Sequence, residues 1–193
     1  MEQLQLIRWL IDQLEKAHLR YFITGSIASS YYGIPRYTHD IDIVVAIDRG
    51  DTDTLIHLLG EKGYISKEGI QEALSGSGMF NFIHSETGLK VDFWVDRGEA
   101  FTRSCFERAV RVEVSEGVWA ILGSPEDVFL HKVYWDRITP SERQIGDALG
   151  ILAVQGRRLH HPYLMKWAKI LKIEGKVKAL LAEKVPPNME ELP

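Results

Sequence analysis

Two aspartates separated by a single residue carry the clearest chemical signal in the chain. Asp40 and Asp42 belong to the segment DIDIVVAI, residues 40–47, whose β-branched composition predicts a short strand. Side chains alternate along a strand, so both carboxylates point to one face with their Cα atoms about 6.6 Å apart. Like charges this close repel each other unless a cation neutralises them. Hard oxygen ligands favour Mg²⁺ or Mn²⁺, so the pair predicts a divalent-metal site.

A glycine and a serine upstream add a second chemical feature. Gly25-Ser26 separates a strand predicted over residues 21–24 from a helix predicted over residues 27–32. A glycine backbone can approach a phosphate closely, and a helix N-terminus offers free N–H groups to it. The order strand, Gly-Ser, helix and Asp-x-Asp strand therefore predicts a phosphate cradle beside a metal pair.

A third carboxylate would complete a two-metal site, and Asp92 is the best candidate. It lies in LKVDFWV, residues 89–95, an otherwise apolar predicted strand. A buried carboxylate without a partner is costly, so Asp92 needs a cation, a metal or a hydrogen-bond network. Trp94, in the same segment, is expected to belong to the core.

Together these residues resemble the nucleotidyltransferase superfamily, which has the DNA-polymerase-β-like fold. The longer pattern G-S-x-A-x-x-x-Y-G-x-x-R-x-T-x-D-I-D, residues 25–42, is similar to nucleotidyltransferases of the AbiEii type, found in bacterial toxin–antitoxin and abortive-infection systems. The resemblance covers roughly residues 20–150. It implies a metal-dependent enzyme that binds a nucleoside triphosphate such as ATP, and a cognate toxin or antitoxin protein as a partner.

The resemblance also implies roles for individual residues. The three acids would bind Mg²⁺ or Mn²⁺ and form the catalytic set, with Asp92 on the acceptor side, where it would help to deprotonate the acceptor hydroxyl. Arg36 and Thr38 lie at their family places, where Arg36 would hold either Asp40 or the triphosphate. The residues implied to bind the nucleotide are Gly25, Ser26, Arg36, Thr38 and Lys132.

Lys132 comes from a distal motif that the chain matches in part. The segment LHKVYWDR, residues 130–137, followed by Arg143 and Asp147, is similar to a helix motif of the family. The chain has Gln-Ile-Gly, residues 144–146, where relatives carry a basic–acidic pair. The resemblance therefore assigns a role to Lys132 and none to Arg143 or Asp147.

The elements that must position these residues predict an α/β fold, with a small mixed sheet flanked by helices and a C-terminal helical extension. We expect a nucleotidyltransferase core over residues 1–123 and a helical region packed on it over residues 124–193. Ser124-Pro125 is a good helix start, and Gly33 is a plausible helix C-cap. Helices are predicted at 3–18, 27–32, 51–60, from 124, and near 141–154, 162–172 and 175–184; strands at 21–24, 40–47, 79–84, 89–95, 109–114 and 118–122.

Composition limits the classes of protein that remain. No apolar run is long enough to span a membrane, and the N-terminus lacks the features of a signal peptide. The single cysteine, Cys105, cannot form an internal disulfide, so we expect a cytoplasmic protein. Net charge is −4, yet residues 131–185 hold 11 basic and 5 acidic side chains. That segment is either a solvated helical surface or a surface for RNA or an acidic partner.

The expected reaction is attack by an acceptor hydroxyl on the α-phosphate of a nucleoside triphosphate, with release of pyrophosphate. The residues leave the acceptor open among RNA, including the tRNA 3′ end, a protein hydroxyl and a small molecule. A non-catalytic member of the same fold, which binds a nucleotide or a partner protein, is the alternative.

Overall fold

The structure, a computed structural model, describes residues 2–183. The predicted end of the last helix at residue 184 therefore lies outside the described residues. Within them the helices are α1 Glu2–Lys16, α2 Gly25–Tyr32, α3 Thr52–Gly60, α4 Lys67–Glu72, α5 Ala100–Arg108, α6 Pro125–Ile138, α7 Glu142–Gln155, α8 His161–Ile170 and α9 Glu174–Ala182. The strands are β1 Arg20–Thr24, β2 Ile41–Ala46, β3 Gly63–Ile65, β4 Met79–His84, β5 Lys90–Val95, β6 Val110–Ser115 and β7 Val118–Leu122.

The chain forms two compact units. The first, here called the sheet unit, comprises the chain up to Thr24 and Thr38–Gly123. The second, the helical unit, comprises Gly25–Tyr37 and the chain from Ser124 onward. The segment that carries the Gly-Ser pair thus belongs to the helical unit, together with α2. The predicted division into domains at residue 123 stays a prediction.

All seven strands of the sheet unit form one mixed sheet in the order β3-β4-β5-β2-β1-β7-β6. β2 lies near its centre, antiparallel to β1 and parallel to β5. Ile41, Ile43 and Val45 alternate along β2 and are buried, which fixes one face of the strand against the core. The amphipathic helix α1 buries Leu10 and Leu14 completely in the same unit.

The helical unit begins its main run of helices as the sequence predicts. The Ser124 hydroxyl accepts a hydrogen bond from the Asp127 N–H at 3.3 Å, and Pro125 occupies the first turn of α6. Helix α2 packs against α6 and α7 in this unit. The mixed α/β fold class predicted from the sequence is thus confirmed, and the chain after Ser124 is helical over its described part.

Gly33 has a different role from the one predicted. It follows α2, and its N–H donates to the Ser29 carbonyl at 2.9 Å, but its φ is not in the left-handed region that a glycine C-cap uses. A Cβ atom at this position would lie 2.7 Å from the Ile151 nitrogen and 2.8 Å from the Gly150 carbonyl carbon. The absence of a side chain therefore lets the end of α2 approach the backbone of α7.

Three short elements lie outside the predicted set. β3 has three residues, and α4 has six residues that include Gly69. Elements this short carry too little periodicity for a sequence pattern to distinguish them from loops. Helix α5 was predictable, because Phe101 and Cys105 are buried at helical i, i+4 spacing. None of the helices within residues 2–183 has the length and apolar character needed to cross a membrane.

We expect Gly33→Ala to destabilise the protein. The new methyl group would overlap the α7 backbone, which cannot move aside as a flexible side chain can, so the free energy of unfolding should fall by about 1–3 kcal/mol. Gly146→Ala, in α7 with open space around it, is the matched control and should be neutral or stabilising by up to about 1 kcal/mol. Urea unfolding of both variants measures the difference, and equal midpoints would contradict the close approach.

Candidate active site

A row of polar side chains crosses four neighbouring strands of the sheet unit. Thr24 of β1 pairs with Asp42 of β2, Asp42 pairs with Asp92 of β5, and Asp92 pairs with Asn81 of β4. Residues paired directly across strands project from the same face, and adjacent strands lie about 4.8 Å apart. The sheet register alone therefore brings two of the three predicted metal-binding carboxylates side by side.

The third predicted carboxylate, Asp40, precedes this row along the chain. The predicted strand from residue 40 begins one residue later, because Asp40 is exposed and its N–H donates to the Thr38 hydroxyl at 3.2 Å. The Thr38 carbonyl in turn accepts a hydrogen bond from the Gln3 side chain at 3.1 Å. Thr38 thus braces the backbone at Asp40, whereas its predicted contact with nucleotide stays a prediction.

Both oxygens of Asp92 accept hydrogen bonds from neighbouring side chains. The Asn81 amide donates to Oδ1, and Nζ of Lys90 lies 3.0 Å from Oδ2. The Asp92 side chain is only 15% exposed, so these partners satisfy a largely buried anion. Trp94 Nε1 donates to Oδ1 of Asp42 at 3.3 Å. The indole that we expected in the core therefore orients a candidate metal ligand.

Lys90 responds to all three carboxylates. Its hydrogen bond to Asp92, more than any other cause, raises the pKa of the Lys90 ammonium above its ordinary value. Partial burial lowers that pKa, and the negative charges of Asp92, Asp40 and Asp42 raise it again. Lys90 is therefore a cation placed within the field of the whole carboxylate group.

The donor set suits a hard divalent ion, since carboxylate oxygens are the ligands that Mg²⁺ and Mn²⁺ prefer. As the side chains stand, however, no group of three or more His, Cys, Asp or Glu residues between 2 and 183 is placed to hold a metal. In this arrangement each oxygen of Asp92 accepts one hydrogen bond from a protein donor. The buried Thr24 hydroxyl, at the other end of the row, has no hydrogen-bond partner among the described residues.

A second charged cluster lies in the helical unit, centred on Asp147 of α7. Arg36 donates two hydrogen bonds to this carboxylate, from Nε to Oδ1 at 2.6 Å and from Nη2 to Oδ2 at 2.9 Å. Lys132 of α6 reaches Oδ2 at 2.7 Å, and its side chain, like that of Asp147, is only 6% exposed. The Arg36 Nη2 also donates to the Ser26 hydroxyl at 2.6 Å. The cluster gathers two positive charges around one negative charge.

Competing effects set the pKa of Asp147. Burial raises the pKa of its carboxyl, but hydrogen bonds from Arg36 and Lys132, with their positive charges, outweigh burial and hold it below its ordinary value. Asp147 is therefore charged at neutral pH and keeps both cations in fixed positions. The sequence assigned it no role because the distal motif matches only in part, and its partners lie 111 and 15 residues away along the chain.

Gly25 opens α2, which begins two residues before the helix predicted over residues 27–32. Its φ is +63°, in the left-handed region that side-chain-bearing residues rarely adopt. The turn from β1 into α2 therefore requires glycine, and Ser26 follows with its hydroxyl held by Arg36. Three of the predicted nucleotide-binding side chains, Ser26, Arg36 and Lys132, thus converge in one cluster within the helical unit.

Four side chains with a place in these two clusters were missed from the sequence: Asn81, Lys90, Trp94 and Asp147. Lys90 and Trp94 were accessible in principle, because they share strand parity with Asp92 and must project from its face. Asn81 required the exact register of the β4–β5 hairpin. Asp147 required the packing of α7 beside α2 and α6.

Comparison with solved structures identifies the fold. The solution structure of the antibiotic-resistance factor ANT(2'')-Ia has a TM-score of 0.58 at 14% identity and covers 91% of this chain and 98% of its own. The crystal structure of ANT(2'')-Ia in complex with adenylyl-2''-tobramycin has a TM-score of 0.58 at 16% identity and covers 93% and 99%. An antigenic nucleotidyltransferase-like protein from Paracoccidioides brasiliensis has a TM-score of 0.57 at 14% identity and covers 98% and 97%. No protein-family profile and no curated protein matches the sequence.

The chain therefore has the nucleotidyltransferase fold. The resemblance to this superfamily, predicted from the Gly-Ser and Asp-x-Asp pattern, is confirmed at the level of the fold. The closer resemblance to the AbiEii type, and the roles it implies for individual residues, stay predictions.

Replacing Asp147 tests the cluster in the helical unit. Asp147→Asn leaves the charges of Arg36 and Lys132 uncompensated, so the free energy of unfolding at pH 7 should fall by about 3 kcal/mol, as for a broken buried ion pair. The folded pKa of Asp147 lies below that of the unfolded chain, about 3.9. The stabilisation is therefore complete above pH 4 or so and is lost as the pH falls through the folded pKa.

Urea unfolding over a pH series measures this effect. The gap in stability between wild type and Asp147→Asn should be constant near neutral pH and shrink below a pH of about 4. Asp53→Asn removes a carboxylate that is 82% exposed and pairs with Lys67, so it should cost little at any pH. If Asp147→Asn proved no less stable than Asp53→Asn at pH 7, the buried ion pairs of Asp147 would not contribute to stability as described above.

Proposed function

We propose that this chain is a metal-dependent nucleotidyltransferase that moves a nucleoside monophosphate from a nucleoside triphosphate to an acceptor hydroxyl. The carboxylate row on a nucleotidyltransferase fold is the observation that carries the proposal, because neighbouring acids on one sheet face require a cation. The acceptor oxygen bonds to the α-phosphorus, the bond from that phosphorus to the bridging oxygen breaks, and pyrophosphate leaves. The hydroxyl proton passes to solvent.

Asp40 and Asp42 are the residues we propose as metal ligands. These oxygens would hold a divalent ion, which would supply positive charge to the reacting phosphate. Trp94 holds the Asp42 carboxylate in one orientation, which reduces the freedom lost when the ligand engages. Asp92 has both oxygens in use, so we assign it the task of fixing charge and orientation on the acceptor side rather than that of a general base.

The Asp147 cluster is the site that we propose for the phosphates of the nucleotide. Two cations fixed around one anion leave one net positive charge, and Arg36 presents a planar guanidinium suited to phosphate oxygens. Gly25 and the Ser26 N–H at the start of α2 offer close approach and backbone donors. This assignment retains the nucleotide-binding roles predicted for Gly25, Ser26, Arg36 and Lys132.

Two acceptor classes have separate support. The ANT(2'')-Ia complex holds an adenylylated aminoglycoside, which favours a small hydroxylated molecule as acceptor and ATP as the first nucleotide to test. The excess of basic side chains over residues 131–185 favours RNA or an acidic protein. The toxin–antitoxin role and its partner protein rest on the AbiEii resemblance and stay predictions, as does a cytoplasmic location.

Binding without turnover is the alternative function. It is favoured by the finding that, as the side chains stand between residues 2 and 183, no group of three or more His, Cys, Asp or Glu residues is placed to hold a metal. Such a protein would bind nucleotide with Mg²⁺ but transfer no label. Turnover therefore separates the two functions, whereas nucleotide binding does not.

Asp42→Asn should abolish transfer while the protein stays folded. The substitution removes the charge of a metal ligand but keeps an oxygen that can accept the Trp94 hydrogen bond. With α-³²P-labelled nucleoside triphosphates, Mg²⁺ and cell extract, label incorporation should drop by more than about 100-fold. Asp53→Asn, an exposed acid of the same unit, should retain full transfer. Undiminished transfer by folded Asp42→Asn would show that Asp42 is not an essential metal ligand.

Arg36→Lys should weaken nucleotide binding more than it weakens folding. Lysine keeps the charge but loses the planar fork that contacts Asp147 and Ser26 together, so the phosphate site loses its geometry. Titration with a fluorescent ATP analogue should show affinity reduced by about tenfold. Arg137→Lys, in the same unit, changes an arginine bonded to the Leu171 carbonyl and serves as control. Equal affinities for the two variants would place the phosphates elsewhere.

A further inference from the structure

Lys90 is the cation that pairs with Asp92 in the carboxylate row. It opens β5 two residues before Asp92, so both side chains project from the same face of the sheet. Its ammonium lies 3.0 Å from Oδ2 of Asp92 and within the field of Asp40 and Asp42. The sheet unit thus supplies one cation of its own to the candidate active site.

The charges of this group balance with a single divalent ion. Three carboxylates carry three negative charges, Lys90 contributes one positive charge, and one divalent ion contributes the remaining two. In the absence of a bound triphosphate, a second divalent ion would leave an excess of two positive charges beside Lys90. It would also compete with Lys90 for Oδ2 of Asp92, while Asn81 donates to Oδ1.

An ordinary surface ion pair in the same unit shows what is distinctive about Lys90. Lys67 and Lys90 have side chains exposed to similar extents, 50% and 48%. Lys67 pairs with Asp53, which is 82% exposed, and such a pair contributes little. Lys90 pairs with Asp92, which is 15% exposed, and two more acids act on it. A partly buried anion holds its counter-charge far more firmly than a solvated one.

We propose that Lys90 replaces the second metal ion, so that the site holds one divalent ion at Asp40 and Asp42 while Lys90 stays fixed on Asp92. The inference rests on the function proposed above and replaces the two-metal site expected from the sequence with a site for one ion. Lys90 then places its positive charge on the acceptor side, where it stabilises the entering oxygen as that oxygen bonds to phosphorus. Lys90 is a positioning residue for Asp92 and a source of fixed charge.

Counting bound ions tests the inference without measuring activity. The protein is titrated with Mn²⁺ alone, and electron paramagnetic resonance of the free ion gives the number bound per chain. Wild type should bind one ion, and Lys90→Met should bind two, because Oδ2 of Asp92 is released and one positive charge is removed. Lys90→Arg, which keeps the charge, should bind one. Lys67→Met is the matched control and should also bind one.

Other numbers of bound ions would contradict either the inference alone or the proposed function as well. Two ions in wild type would overturn the inference and leave the proposed function standing. One ion in folded Lys90→Met, checked by circular dichroism, would also overturn it, because removing Lys90 would then open no site. No ion in either protein would overturn the metal dependence of the proposed function itself, and the inference with it.

Discussion

The parallel pairing of β2 with β5 is the constraint on which the candidate active site depends. Apolar side chains fix this register: Ile41 and Ile43 of β2 and Val91 and Phe93 of β5 are all almost fully buried. A slip by one residue would expose them and turn the carboxylates into the core. The hydrophobic core therefore forces Asp42 beside Asp92, and the electrostatic cost of that placement must be offset by other groups.

Side chains of β4 and β5 offset this electrostatic cost. Asn81 from β4, Lys90 from β5 itself and Trp94 from the far end of β5 donate to the two acids. The position of each donor follows from strand register or strand parity. The backbone pairing that brings the two acids together therefore also places the groups that offset their repulsion. The neighbouring carboxylates are thereby accommodated without destabilising the sheet.

Local pattern was enough to predict most of the fold and most of the residues that the structure brings into the two clusters. The β-branched run of β2, the glycine at residue 25 and the cap at Ser124 each act within a few residues, so their sequence signals are direct. Asn81 acts through a partner on another strand, and no local pattern contains that information. Asp147 belongs to the distal motif quoted above, but the incomplete match there gave it no role. Trp94 was misassigned because an aromatic residue in a strand usually packs in a core, and only its parity with Asp92 argues otherwise.

The two clusters have opposite arrangements of charge. In the sheet unit Lys90 pairs with Asp92, which lies beside Asp42 in the sheet register. In the helical unit Arg36 and Lys132 both bind the carboxylate of Asp147. In each cluster the side chain whose charge is opposite to that of the others is buried or partly buried and fixes their positions. The charge that the others share determines which ligands the cluster can attract. The negative cluster is the one proposed above for a divalent ion, and the positive cluster is the one proposed for phosphates. These charges support the proposal of nucleotidyl transfer.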